Sequence, residues 1–393
     1  MPDAGAGRNR WTAASPQPVY LHGRGRYGML VPGPARGSSS LTNAEKESLT
    51  RASGMPSVAV FGLGGTIAMA QVPDGGVSPV LSASDLLTAV PGLNKLQAEL
   101  RVQDFRNKPG ASLDFTDLYE LAAAIDEALN DGCLGAVVTQ GTDTIEEVAY
   151  VLDLLLPTDA PVVVTGAMRN PTMAGPDGPA NILAAVRVAV SPCARGLGCL
   201  VVLNDQVHAA RWVQKAHTGS PAAFVSPDHG PLGHVIEGHV HIPVRMRRRS
   251  PALSPVPRRS AHIGLATIAL GDDGTLIELL AEHIDGLVVA AFGAGHVPAA
   301  VAPVLGKLAE HIPVVLASRT GAGPVHRVTY GFPGSERDLL ARGLISAGYL
   351  DPLKARILLH LLIASGAGDA QIREAFAAAV DLFQLDECEG MEA

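Results

Sequence analysis

The sequence predicts an α/β protein: a larger N-terminal doubly wound, mostly parallel sheet domain, then a smaller C-terminal α/β domain. Three observations predict it. From Met55 onward, short β-branched runs alternate with stretches of helical periodicity, the pattern of strands joined by crossover helices. Some runs, such as 197–203, are apolar at nearly every position, as in strands buried on both faces. A Pro- and Arg-rich stretch at 245–261 then separates two such series, which marks a linker.

Residues 1–54 are rich in Gly, Pro, Arg and Ser without sustained periodicity. Such a composition buries too little apolar surface to offset the entropy of ordering. The expectation is a disordered leader or a gene-model extension, with Met55 as the true start. An N-terminal domain is expected over 55–244, a solvated linker over 245–261 and a C-terminal domain over 262–393. Strands are expected near 58–61, 99–105, 134–139, 161–165 and 197–203. Helices are expected from Ser84-Asp85 and over 116–129, 144–156 and 180–190, the second with Leu118, Leu121, Ala122 and Ile125 on one face. Residues 71–80, with Pro73, Gly75, Gly76 and Pro79, suggest a lid over the strand ends. A hairpin is expected at 235–244 around Gly238. In the second half, strands are expected near 263–270, 286–291 and 313–318, with helices over 298–311, 339–342, 351–364 and 370–383.

Composition narrows the function. The formal net charge of −8 argues against general nucleic-acid binding. No uninterrupted apolar run reaches the roughly 18–20 residues that cross a bilayer. The four cysteines form no CxxC pair, which fits a reducing compartment, and no apolar secretory segment stands at the N-terminus. A cytoplasmic location is expected. His229, His234, His239 and His241 lie close in sequence, but they lack an obvious carboxylate partner, so hairpin histidines are expected rather than a metal site.

The glycine cluster Gly62-Leu63-Gly64-Gly65-Thr66 follows the first strand. It lacks the Gly-Lys-Ser/Thr of a phosphate loop and the spacing of a dinucleotide fingerprint. What it offers is a hydroxyl, Thr66, at a strand end. Thr142 and Asp143 follow the third strand, Ser112 precedes the second helix and Lys215 follows the fifth strand. Carboxyl ends of parallel strands converge on one edge, so these groups can share a cleft. A hydroxyl becomes a nucleophile when a base takes its proton, and a lysine can be that base. A structural reading competes at 142–147: Thr144 with Glu147 spells a capping box that only starts a helix. The two readings are compatible.

Gly-Gly-Thr-Ile-Ala at 64–68 and Gly-Thr-Asp-Thr-Ile-Glu-Glu at 141–147 resemble the bacterial-type L-asparaginases. So do Thr165-Gly166-Ala167-Met168-Arg169, Asp177-Gly178-Pro179, Asn204-Asp205, Gly230-Pro231-Leu232-Gly233 and Leu350-Asp351-Pro352-Leu353-Lys354-Ala355-Arg356, all in the family's order. The resemblance implies an amidohydrolase that converts L-asparagine to L-aspartate and ammonia with no cofactor and no metal. It implies Thr66 as the threonine nucleophile, with Thr142, Asp143 and Lys215 as the second hydroxyl–acid–base cluster and backbone amides near Thr142 as oxyanion donors. Ser112, Leu113 and Asp143 would bind substrate, as would Glu336 through a neighbouring subunit of a homo-oligomer (dimer or tetramer). Three positions depart from the pattern. No tyrosine occurs between Gly64 and Leu118, where the family's lid carries one; Leu113 stands in place of a glutamine; His296 stands in place of an asparagine. The alternatives are a glutaminase-leaning or amidotransferase-subunit member of the fold, and a non-catalytic amino-acid-binding homologue.

Overall fold

The computed structural model describes residues 55–65, 67, 69–71, 77–79, 82–246, 253 and 256–381. The expectations for residues 1–54, Thr66, the tip of the 71–80 segment and Arg247–Arg249 lie outside the described residues. Strand β1 (Ser57–Gly62) is buried at every position, which its Val-Ala-Val-Phe core favours. After it, β2 (Met69–Gln71) and β3 (Val77–Pro79) pair antiparallel, so the segment expected to be a lid begins and ends in a hairpin. β1 is flanked in parallel by β4 (Glu99–Asp104) and β5 (Gly135–Thr139). β6 (Val162–Thr165) and β7 (Cys199–Leu203) extend the parallel run.

The direction then reverses. Asn204 and Asp205, both at positive φ, turn the chain into antiparallel β8 (Gln206–Ala209); their short polar side chains tolerate that backbone region best after glycine. β9 (Gln214–Lys215) and β10 (Phe224–Val225) form a separate two-residue ladder. β11 (Gly233–Ile236) and β12 (His239–His241) close the larger sheet, in the order β12-β11-β8-β7-β6-β5-β1-β4. Their turn, Glu237-Gly238, has positive φ at both positions, the twist that suits a two-residue hairpin.

Helix α1 (Ala83–Thr88) starts at a capping box between Ser82 and Asp85, and α2 (Phe115–Asn130) at one between Asp114 and Asp117. α3 (Ile145–Leu155) and α4 (Gly178–Val190) complete the crossovers. The smaller sheet is all parallel: β13 (Ile263–Thr267), β14 (Gly286–Ala291), β15 (Val314–Ser318) and β16 (Ile345–Ser346). α5 (Thr275–Leu280), α6 (Val301–Ala309), α7 (Glu336–Ala341), α8 (Pro352–Ala364) and α9 (Asp369–Asp381) accompany it. α5 and β16 were not anticipated, because six and two residues are too short to show a period.

From Met55 on, the described residues cluster as one compact unit, and α3 explains why. Nearly its whole circumference is buried, from Ile145 to Leu155, the carboxylates of Glu146 and Asp153 included. It lies against β7 on one side and α8 on another. Leu152 and Leu155 of α3 share one core with Leu358 and Leu362 of α8. Linker residues 256–260 are exposed, and the backbone there is tied down. The N–H groups of Arg258 and Arg259 both donate to the Ala364 carbonyl, and Arg259 Nε donates to Ile363 O. Two backbone N–H groups and one guanidinium therefore satisfy the last carbonyls of α8, where the helix dipole favours a cation. Leu253 docks through its N–H on Leu154 O. Proline content alone did not reveal these partners.

One buried and one half-buried histidine should make the fold acid-sensitive. His208, 1 % exposed, lies between Ser226 Oγ at 3.0 Å and Gln206 Oε1 at 3.1 Å; burial, then the neighbouring His234, lowers its pKa to about 4. His360 of α8 stacks on Phe115 of α2 at 3.6 Å, and burial, then Arg356, lowers its pKa to about 4 as well. The folded state thus binds fewer protons than the unfolded chain, whose histidines titrate near 6.5. This stabilisation is complete above about pH 6.5 and is lost as pH falls toward 4, at about 3 kcal/mol for His208 at most. Urea midpoints should fall between pH 7.5 and pH 5, and His208→Gln should fall less steeply; equal slopes would count against the assignment.

Candidate active site

The register of the parallel strands sets the site. Gly62, Thr139 and Thr165 are aligned across β1, β5 and β6, so the turns that follow leave the sheet at one level. Three of these turns meet through glycines. Gly65, at φ +84°, lies against Gly141, such that a Cβ on Gly65 would stand 2.1 Å from the Gly141 nitrogen. Gly141 in turn abuts Gly110, whose nitrogen is 3.0 Å from the Gly141 Cβ position. Only backbone fits at such a junction. It brings together the turn preceding Thr66, the turn carrying Thr142 and the turn carrying Ser112.

Thr142 and Asp143 lie in a 3-10 turn, Thr142–Thr144, at the head of α3. Thr142 is buried, whereas the Asp143 side chain is 66 % exposed. Lys215 Nζ donates to Thr142 Oγ1 at 3.0 Å and to Asp143 Oδ1 at 2.9 Å. The ammonium thus bridges a buried hydroxyl and a solvated carboxylate. Thr144 does not cap α3 with its side chain: its hydroxyl donates to Gly110 O at 3.0 Å and lies 3.4 Å from Gln140 Nε2. The capping-box expectation is therefore corrected. The 3-10 turn directs this hydroxyl back to the glycine junction, where it ties the Ser112 turn to the Thr142 turn.

The other expected residues divide. Thr66 lies outside the described residues; Gly65 before it and the buried Ile67 after it are described. Ser112 ends the 3-10 turn Gly110–Ser112 and is exposed. Leu113 is half-buried and packs against the core, so its side chain brings no polar contact to the cleft. Glu336 is 0 % exposed. Its Oε1 accepts from the Tyr330 N–H at 2.7 Å, and its Oε2 lies 3.3 Å from His296 Nε2 without the alignment of a hydrogen bond. Burial opposes its charge, but the Tyr330 N–H, its own N–H and His296 together hold its pKa below the usual carboxylate range. Within the chain, the carboxylate is thus held by groups of the C-terminal half.

Among the described residues no group of His, Cys, Asp and Glu converges to hold a metal ion. His234 and His241 face each other across the β11–β12 pair.

The N-terminal half, residues 57–248, matches the family described as Asparaginase, N-terminal, and residues 262–376 match the Glutaminase/Asparaginase C-terminal domain. The chain belongs to the asparaginase family. A probable L-asparaginase of Deinococcus radiodurans is 38 % identical over 328 residues, spanning 82 % of this chain and 97 % of its own length. An L-asparaginase of Bacillus licheniformis is 32 % identical over 78 % of this chain and 95 % of its own. The crystal structure of a probable cytoplasmic L-asparaginase from Campylobacter jejuni superposes with a TM-score of 0.74 at 32 % identity, covering 82 % of this chain and 99 % of that one.

In this asparaginase-family chain His296 and Glu336 are one feature. The His296 ring meets Tyr330 edge-on at 4.8 Å and Phe332 at 5.0 Å, so the histidine belongs to a cluster that encloses the glutamate. Sequence reading treated the two positions separately, since nothing in their spacing of forty positions links them. It also passed over Glu146 and Lys354, although both lie inside quoted motifs. A charged residue flanked by helix-forming apolar ones gives no sign from sequence whether it faces water or the core.

Proposed function

We propose that the chain hydrolyses the side-chain amide of L-asparagine to L-aspartate and ammonia through a threonine-bound acyl-enzyme. The observation that carries this reading is Lys215 Nζ at 3.0 Å from Thr142 Oγ1 and 2.9 Å from Asp143 Oδ1. Thr66 Oγ1 attacks the amide carbon, the C–N bond breaks, and ammonia leaves with the transferred proton. The β-aspartyl ester is then cleaved by water. Thr142, paired with Lys215 as base, moves the water's proton while the Thr66 oxygen leaves and is reprotonated. Backbone N–H groups near Thr142 hold the developing oxyanion, a contribution of about 3–4 kcal/mol per donor in such sites. Asp143, open to solvent beside the turn, receives the substrate ammonium, and Ser112 binds its carboxylate. The contact of Gly65 with Gly141 supports putting Thr66 in the same cleft.

The same proposal divides the chain into catalytic halves at 55–244 and 262–393, with residues 1–54 outside the chemistry. It includes a cytoplasmic location, supported by the Campylobacter relative's description and by the absence of CxxC pairs, and assembly as a homo-oligomer. None of the described helices is long and apolar enough to cross a membrane.

Ammonia release from asparagine and from glutamine should be rapid for the wild type with asparagine and strongly reduced in Thr66→Ala and Thr142→Ala. Wild-type turnover no faster than the variants would overturn the hydrolase reading. Faster release from glutamine would reassign the substrate. Light scattering checks assembly, and a monomer at micromolar concentration would remove that part.

A further inference from the structure

Among the described residues Lys354 is the one buried lysine, with 0 % exposure. It sits in the first turn of α8, where the helix dipole disfavours a cation. A buried ammonium is costly to desolvate, and an apolar residue of similar size is often as stable. Its partners suggest why a lysine stands there. Nζ donates to Val213 O at 2.7 Å and to Asp351 Oδ2 at 2.7 Å, and lies 3.6 Å from Glu146 Oε2.

Val213 immediately precedes β9, which carries Lys215. Glu146 lies in the first turn of α3, directly after the turn that carries Thr142 and Asp143. The Glu146 carboxylate also faces the backbone N–H of Lys215. One buried cation therefore touches both segments that must meet for Lys215 to reach Thr142. The ladder of β9 with β10 has only two residue pairs, so that ladder alone holds the lysine strand loosely. Asp351 steadies the cation from below: its Oδ1 accepts from the N–H groups of Leu353 and Lys354 at 2.9 and 3.0 Å.

We propose that Lys354 is a positioning residue for the hydrolytic site, whose buried ammonium clamps the Val213 carbonyl and the Glu146 carboxylate so that Lys215 is held on Thr142. This rests on the assignment of Thr142 and Lys215 as the relay. The clamp links the C-terminal half to chemistry performed by the N-terminal half. Lys354 touches no reacting atom; it acts through Lys215.

The test is a mutant cycle in the full-length protein. Lys354→Met, Glu146→Gln, Lys215→Met and the double variants are compared by kcat and KM for asparagine, normalised to folded protein by circular dichroism. Lys354→Met should lower kcat by about 10²-fold, the scale of a misplacement near 1 Å, with KM nearly unchanged. The Lys354→Met/Lys215→Met pair should be no slower than Lys215→Met, because the clamp has nothing left to position. If Lys354→Met does not fold, Glu146→Gln takes its place. It removes the charge but keeps an acceptor for the Lys215 N–H, and should show a smaller fall in kcat that vanishes when Lys215 is already methionine. Wild-type kcat in the folded variant, or losses that multiply in the double variant, would reduce Lys354 to a structural role and overturn the inference. Full activity in Lys215→Met would instead overturn the relay itself, so the two failures are told apart.

Discussion

Gly65→Ala should inactivate the protein and lower its stability by about 2–6 kcal/mol, the sum of two physical penalties. The residue has φ +84°, where a non-glycine side chain costs about 1–3 kcal/mol. The added Cβ would also stand 2.1 Å from the Gly141 nitrogen and 2.3 Å from its Cα. Both atoms are backbone, so no side chain can swing away, and overpacking of this kind costs about 1–3 kcal/mol. Relief requires the Gly64–Gly65 turn to retreat from the Thr142 turn, the junction on which the proposed double displacement depends. A thermal melt and an ammonia-release assay check both halves. An alanine variant with wild-type melting temperature and kcat would show that the junction tolerates a methyl group. Gly132, also at positive φ but with nothing within 4 Å of its Cβ position, provides the control. Alanine there should cost only the backbone strain, about 1–3 kcal/mol, and leave kcat intact.

Lys215→Met should behave in the opposite way, with activity lost and the fold kept. Methionine preserves most of the apolar stem, and the Lys215 side chain is only 16 % exposed, so packing is largely retained. Its carboxylate partner, Asp143, is 66 % exposed and can be solvated when the ammonium is gone. An exposed pair of this kind contributes less than about 1 kcal/mol. Thr142 keeps its buried place but loses the amine partner that meets its hydroxyl at 3.0 Å. Members of a catalytic relay typically cost 10⁴-fold or more when removed, and a loss of about 10³–10⁴ in kcat is expected here. Single-turnover measurements should place the loss in hydrolysis of the acyl-enzyme rather than in its formation. An unchanged kcat would remove Lys215 from the chemistry. A melting temperature lowered by more than a few degrees would mean that its ammonium holds the fold as well.

The contrast between these substitutions separates what was legible in the sequence from what was not. Strands such as 197–203 and the Thr142–Asp143 turn could be read because their signals are local: an apolar run, then a break, then helical periodicity. Lys215 could be grouped with Thr142 as a residue after the fifth strand, but antiparallel β8 carries the chain back along β7 and the separate β9 holds Lys215 where it meets Thr142. The motifs at 64–68 and 141–147 pointed to the family before any coordinate was considered. Thr144 was misread as a cap for the same local reason. Its spacing to Glu147 fits a capping box, but its hydroxyl turns to Gly110, thirty-four positions earlier.

By itself, the sequence determined the α/β class, the order of the main strands and the identity of the hydroxyl, carboxylate and amine that meet at their ends. These follow from period and from the chemistry of residue types, both properties of a short window of chain. Tertiary structure decided the rest. It buried Glu336 with His296, set Lys354 on the Val213 carbonyl, and brought Gly65, Gly110 and Gly141 into contact. Each depends on which distant segments share a low-dielectric space, where an unpaired charge is expensive and a single Cβ is too large. No local pattern encodes that space; it exists only once both halves of the chain are packed.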